Sequence, residues 1–140
     1  YAHNTDGFKQ LSEFMKTVQS DVKLGIIACP GDRRDEDLRN MGKYAAQMFD
    51  EIIIRHDKDG RGRTDEDITR LIKEGIHTVR ADMPLQIISD EFDAIRHVME
   101  NAERRAFIVV CTEDVHGCID FVSKKQEEEL RTSGRHLHAF

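Results

Sequence analysis

The sequence predicts an α/β domain of three layers: a mostly parallel sheet flanked by helices on both faces. Three observations carry this expectation. Short apolar runs at residues 24–29, 51–55 and 106–111 alternate with longer segments of helical spacing. The runs are apolar throughout rather than at every second residue, as strands covered on both faces require. Right-handed crossovers through the intervening helices then place every strand's C-terminal end on one edge of a Rossmann-like sheet.

Each element follows from its residues. Phe8, Leu11, Phe14, Met15, Val18 and Val22 recur at helical spacing, so residues 7–21 read as an amphipathic helix. Leu24 to Cys29 is a buried strand, broken by Pro30-Gly31. Leu38, Met41, Ala45, Met48 and Phe49 form the next helical stripe, and Glu51 to Arg55 a second buried strand. Residues 56–64 are a polar loop. Asp65 is the expected cap of a helix carrying Ile68, Leu71 and Ile72, with Gly75 near its stop. Short strands are expected at His77–Arg80 and Gln86–Ile88. Asp90 caps a helix with Phe92, Ile95, Val98 and Met99 inward, "AFIVVC" is a third strong strand, and Thr112 to about Glu129 the last helix. Residues 1–130 thus read as one domain and residues 131–140 as a frayed tail, whose His136 and His138 form a weak metal-binding pair at best.

With 140 residues the chain has enough length for one real core. A net charge of −6 argues against general affinity for nucleic acid, and no apolar run approaches a membrane span. Cys29, Cys111 and Cys118 match no metal spacing and read as buried thiols of a cytoplasmic protein. A nucleophilic Cys111 would need a base placed beside it in space, and His116 is near only in sequence. His56, His77 and His97 are scattered and read as surface or half-buried residues.

In such sheets ligands bind where strands end. The loops 30–36, 56–64 and 112–116 converge there, and the first two are densely charged. In "CPGDRRDED", Asp35 or Asp32 serves as a helix cap, and Glu36 and Asp37 favour the positive end of the helix dipole. The same dipole disfavours Arg33 and Arg34, which are better used on a carboxylate or phosphate of a ligand. In the second loop, Asp57, Asp59, Arg61 and Arg63 form either a solvated surface or a substrate clamp. Gly60 and Gly62 there permit close backbone approach to a ligand. Glu113 reads either as an acid favoured by a helix dipole or as a ligand-binding group. No G-x-G-x-x-G and no phosphate-loop lysine pattern occurs.

The segment "YAHNTDGF" is similar to the Asp-Tyr-Ala-His-Asn-Pro linker of the Mur ligase family, with Thr5 in place of the proline. "GDRRDEDLRNMGKYAAQMFDEIIIRHDKDGRGR" resembles the cyanophycin synthetase branch of that family. The chain is therefore identified as a C-terminal domain of Mur type, cut from a longer chain. The resemblance implies an ATP- and Mg2+-dependent ligase whose central ATPase domain phosphorylates a carboxylate. An incoming amine then attacks the acyl phosphate, and the C-terminal domain closes to exclude water and align the amine. In the cyanophycin branch that step adds arginine to aspartate side chains of an acidic polymer.

Carried over residue by residue, the resemblance implies that Tyr1, His3 and Asn4 bind near the nucleotide, that Arg33 meets the incoming amino acid and that the loop Asp57 to Arg61 takes the place of a substrate motif. Together with the charged-loop reading, the expected substrate-binding residues are Asp32, Arg33, Arg34, Asp57, Asp59 and Arg61. No catalytic residue and no metal ligand is assigned to this chain, which is expected to be inactive alone. Lys58-Asp59-Gly60 interrupt the Asp-Asn-Pro-Arg motif of peptidoglycan ligases, and Cys111-Thr112-Glu113-Asp114 replaces their Gly-Lys-Gly-His-Glu. A peptidoglycan or folylpolyglutamate ligase domain is the rival in the same class. A non-catalytic module binding a nucleotide or acidic peptide is the rival outside it. A homo-oligomer is left open.

Overall fold

The structure, a computed structural model, describes residues 2–102 and 105–137, the side chains of 134–137 excepted. Its elements are α1 (Thr5–Thr17), β1 (Val22–Ile27), α2 (Asp35–Met48), β2 (Glu51–Ile54), α3 (Asp65–Val79), β3 (Leu85–Ile87), α4 (Glu91–Asn101), β4 (Ala106–Val110) and α5 (Val115–Leu137). The four strands form one sheet in the order β3-β2-β1-β4, every pairing parallel. Side-chain parity divides the core. Ile27, Ile52 and Ile54 pack with Phe8 and Met15 of α1, Met41 of α2 and Leu71 of α3 on one face. Leu24, Ile26 and Ile53 meet Ala94, Ile95 and Val98 of α4 and Cys118 of α5 on the other. The expected three layers are thus present. Each fully buried Ile or Leu side chain contributes about 1.5–3 kcal/mol relative to exposure.

The expected strand at His77–Arg80 is instead the last turn of α3, with Arg80 N–H donating to Ile76 O at 2.9 Å. Gly75 does not stop the helix. It sits where α3 crosses α2, and a Cβ there would overlap the carbonyl oxygen of Arg39. Glycine at this position serves close helix packing, so the helical hydrogen bonds run on through it.

Cap assignments shift by a residue or two. Thr64, not Asp65, caps α3 by accepting from Asp67 N–H, while Asp90 caps α4 as expected. Neither Asp32 nor Asp35 caps α2: Arg34 occupies that position with no side-chain bond. Both carboxylates instead face arginines of the neighbouring loop. Helix α1 ends at Thr17 because Val22 already belongs to β1, and α5 continues past Glu129 to Leu137. The pair His136 and His138 lies outside the described side chains.

Candidate functional site

Successive strands β1, β2 and β3 progress in one direction across the sheet, and β4 returns to the other side of β1. The turns leaving β1 and β4 therefore diverge, which opens a crevice at the switch point. Helices α2 and α5, which follow those turns, lie on opposite faces.

The turns after β1 and β2 lie side by side at this edge. Gly31 packs so tightly that a Cβ on it would overlap Gly60 O. Arg63 ties the turns together: Nε donates to Gly31 O at 2.8 Å and Nη2 to Arg33 O at 3.1 Å and Asp35 Oδ1 at 2.5 Å. Its Nη1 reaches Asp67 Oδ2 at 2.8 Å. Arg61 has left-handed backbone (φ 49) and lies between Asp32 Oδ2 at 3.2 Å and Glu113 Oε1 at 3.6 Å. That arginine links all three charged turns.

Two hollows result. The more open one, about 600 Å³, is lined by Asp32, Arg33, Arg61, Arg63 and Thr64. Arg33 behaves differently from its neighbours. The guanidinium groups of Arg34, Arg55, Arg61 and Arg63 donate to carboxylates. Arg33 Nε is buried and makes no hydrogen bond, with Asp32 Oδ1 at 3.9 Å, beyond hydrogen-bond reach. A buried donor left unsatisfied is costly unless a ligand completes it. Arg34 takes no part in this hollow: it is exposed and folds back on Asp37 at 2.9 and 3.0 Å.

The second hollow, about 470 Å³, lies on the other side of the Arg61–Glu113 contact and carries Asp65, Asp90, Glu113 and Asp114, with Lys58, around its mouth. Deeper in are Arg55 and Asp57, 5% and 6% exposed, with Arg55 Nη1 donating to Asp57 Oδ1 at 2.8 Å. Arg55 also donates to Cys111 O from Nε at 3.1 Å and Nη2 at 2.8 Å, and faces Glu91 Oε2 at 3.0 Å. His56 is held by Ser89 Oγ at 2.9 Å and Thr69 Oγ1 at 2.8 Å. Asp59 Oδ1 accepts from Arg61 N–H at 2.9 Å within its own turn.

The linker residues divide similarly. Asn4 caps α1, its Oδ1 accepting from Gly7 N–H at 2.7 Å. His3 borders a small crevice with Pro30, Arg55, Asp57 and Thr112, so the start of the chain reaches the same rim. Tyr1 lies outside the described residues. Cys29, Cys111 and Cys118 are buried free thiols. Burial pushes the Cys111 thiol up to about 11, which ill suits a nucleophile.

Of the expected site residues, Asp32, Arg33 and Arg61 meet in one hollow, Asp57 lines the other, and Arg34 and Asp59 are turned to local partners. Sequence reasoning missed Arg55. Its signal was an arginine ending an otherwise apolar strand, since arginine is almost never fully buried unless paired. Chemically, the rim offers one unbonded guanidinium donor for a carboxylate and a carboxylate-lined mouth for a cation. Among the described residues, no group of three His, Cys, Asp or Glu could hold a metal ion, and no helix is long and apolar enough to cross a membrane.

The chain is similar to known proteins along most of its length. Residues 1–113 match the family model described as Mur ligase, glutamate ligase domain. A cyanophycin synthetase of Geminocystis herdmanii is 40% identical over 124 residues, which is 89% of this chain and 14% of that one. A UDP-N-acetylmuramoyl-L-alanyl-D-glutamate–2,6-diaminopimelate ligase of Caldanaerobacter subterraneus is 29% identical over 110 residues, 79% of this chain and 22% of that one. A solved structure of a ligase with that same name superposes with a TM-score of 0.66 at 25% identity, covering 79% of this chain and 22% of its own. The chain spans about a seventh of the length of the cyanophycin synthetase it matches.

Proposed function

The chain belongs to the Mur ligase family, as its glutamate ligase domain, and from that premise we propose that it is the amine-holding domain of an ATP-dependent amide-bond ligase of the cyanophycin synthetase type. The observation that carries the reading is Arg33, a buried donor without a hydrogen bond at the rim where the strands end. Such a donor fits the carboxylate of an incoming amino acid. The mouth, where Asp65, Asp90, Glu113 and Asp114 outnumber Lys58, fits a side chain of net positive charge, which supports arginine over diaminopimelate, whose far end is a zwitterion.

The residues here do not fit a complete nucleotide or magnesium site. The sequence has no phosphate loop, and no described cluster of acids or histidines suits a metal. ATP and Mg2+ belong, on this reading, to a central ATPase domain elsewhere in the longer chain. The acceptor is the acidic polymer. This domain's contribution is positional. Arg33 orients the amino acid, the acidic mouth holds its far end, and closure of the rim keeps water from a reactive acyl group.

Two measurements test it. The 140-residue chain should release no phosphate from ATP in the presence of arginine, and turnover would overturn the partial-site reading. In the intact ligase, Arg33→Ala should raise the KM of arginine more than that of ATP. An unchanged arginine KM would remove Arg33 from the site. A panel of amines on the intact enzyme separates the arginine reading from the peptidoglycan and folylpolyglutamate ones.

A further inference from the structure

We infer that Arg55 is a positioning residue: it acts through Glu91 and Thr112 to fix the turn carrying Glu113 and Asp114. Its kinetic consequence rests on the ligase reading above, whereas its structural consequence does not.

Arg55 sits at the end of β2, where its N–H still donates to Ile27 O at 2.9 Å, and its side chain is 5% exposed. A buried arginine is no requirement of stability, because well-packed apolar residues often replace buried ion pairs without loss. What distinguishes this one is where its bonds go. They reach the carbonyl of Cys111 after β4, the carboxylate of Asp57 after β2 and that of Glu91 at the start of α4. All three lie at the rim, Glu91 as the first residue of α4.

The chain of contacts continues outward. Thr112 Oγ1 donates to Glu91 Oε1 at 2.6 Å and accepts from Asp114 N–H at 3.0 Å. A hydroxyl has one proton, so donation to Glu91 leaves its lone pairs facing Asp114. Asp114 Oδ1 in turn accepts from Gly117 N–H at 2.9 Å and opens α5. Glu113, held between these fixed points, is the residue that approaches Arg61, whose guanidinium also meets Asp32 beside Arg33. A single buried cation thereby sets the relation of one hollow to the other. The links in this chain are an ion pair from Arg55 to Glu91 and a charge-assisted hydrogen bond from Thr112 to Glu91, the latter of the strong, directional kind.

The decisive variant is Arg55→Lys, which keeps the charge but cannot span Cys111 O, Asp57 and Glu91 together. In the 140-residue chain, amide hydrogen exchange at Asp114 and Gly117 should accelerate at least tenfold while α2 and α3 amides exchange as before. Unchanged exchange at Asp114 and Gly117 would overturn the inference. If Arg55→Lys fails to fold, Thr112→Val cuts the same chain at half-buried Thr112. The readout is then the Gly117 amide, which bonds Asp114 and not Thr112, and no acceleration there overturns the inference equally. In the intact ligase, Arg55→Lys should raise the arginine KM about tenfold, as expected for loss of one charge-assisted bond, with the ATP KM unchanged. Added guanidinium ion should restore the arginine KM of Arg55→Ala, a rescue that a merely structural defect would not show. An unaltered arginine KM in folded Arg55→Lys also overturns it. Absence of arginine-dependent ATP turnover in the wild-type intact chain would instead defeat the ligase reading, and the exchange result would still decide the role of Arg55.

Discussion

Arg63 Nε donates to Gly31 O at 2.8 Å, and this bond joins two turns that are 32 residues apart in sequence. The turns are close enough that Gly31 has no room for a side chain against Gly60 O. The obstacle is backbone, which cannot swing aside. Gly31→Ala should therefore cost about 1–3 kcal/mol, as overpacking does, and urea unfolding measures it. Arg63→Gln should lower the urea midpoint and speed amide exchange in both turns at once. If only the 56–64 turn responded, Arg63 would not be the tie.

Acid should destabilise the chain through three carboxylates, the exposed Glu74 and the half-buried Asp37 and Asp67. Hydrogen bonds from Arg70 and then Arg63 hold the Asp67 carboxyl below the usual carboxylate range. Arg34 does the same for Asp37, and Arg39 and Arg70 for Glu74. A folded-state pKa below the unfolded one gives stability that is fully present above the unfolded value. That stability is lost as pH falls through the folded value. The urea midpoint should thus drop as pH falls through and below the ordinary carboxylate range, and Asp67→Asn should flatten that drop. Because each pair has an exposed or partly exposed arginine and stays open to solvent, high salt should shrink the effect. An acid limb unaltered by Asp67→Asn would take Asp67 out of this account.

Strand placement was legible because the runs around Ile26 and Ile53 are apolar on both sides, which only a covered sheet accommodates; the run around Val109 reads the same, although Phe107 and Ile108 are exposed on this edge strand. The edge of the sheet followed from handedness, and with it the neighbourhood of Asp32, Arg33 and Arg61. Side-chain partners were not legible. Asp57 and Asp59 look alike in sequence, yet one neutralises Arg55 and the other closes its own turn. Asp35 has the residue type of a cap, but Arg63 approaches it across the interface between turns. Such choices depend on residues far away in the chain, and local propensity carries no information about them.

The three thiols should be inert in the folded chain. Burial raises all three pKa values, with Cys111 and Asp57 adding to the effect at Cys29, while Arg55 works against it at Cys111. At neutral pH little thiolate forms, and all three cysteines are buried. A disulfide reagent should titrate no thiol in native conditions and three after denaturation. One fast-reacting thiol in the native chain would reopen Cys111 as a candidate nucleophile.

Gly75 offers a test of how α2 and α3 support the site. These helices start from the two turns that Arg63 joins, so their separation sets the spacing of the turns. Gly75 allows α3 to rest on the backbone of α2 at Arg39. In an isolated helix Gly75→Ala would gain about 0.8–1 kcal/mol from propensity. Here the new methyl group meets a carbonyl oxygen that cannot rotate away, so the overlap should outweigh that gain. Gly75→Ala should then lower stability by about 1–3 kcal/mol, read as a reduced urea midpoint with an unchanged m-value. A stabilised variant would show that α2 and α3 separate freely, and the turn spacing would then owe nothing to their packing.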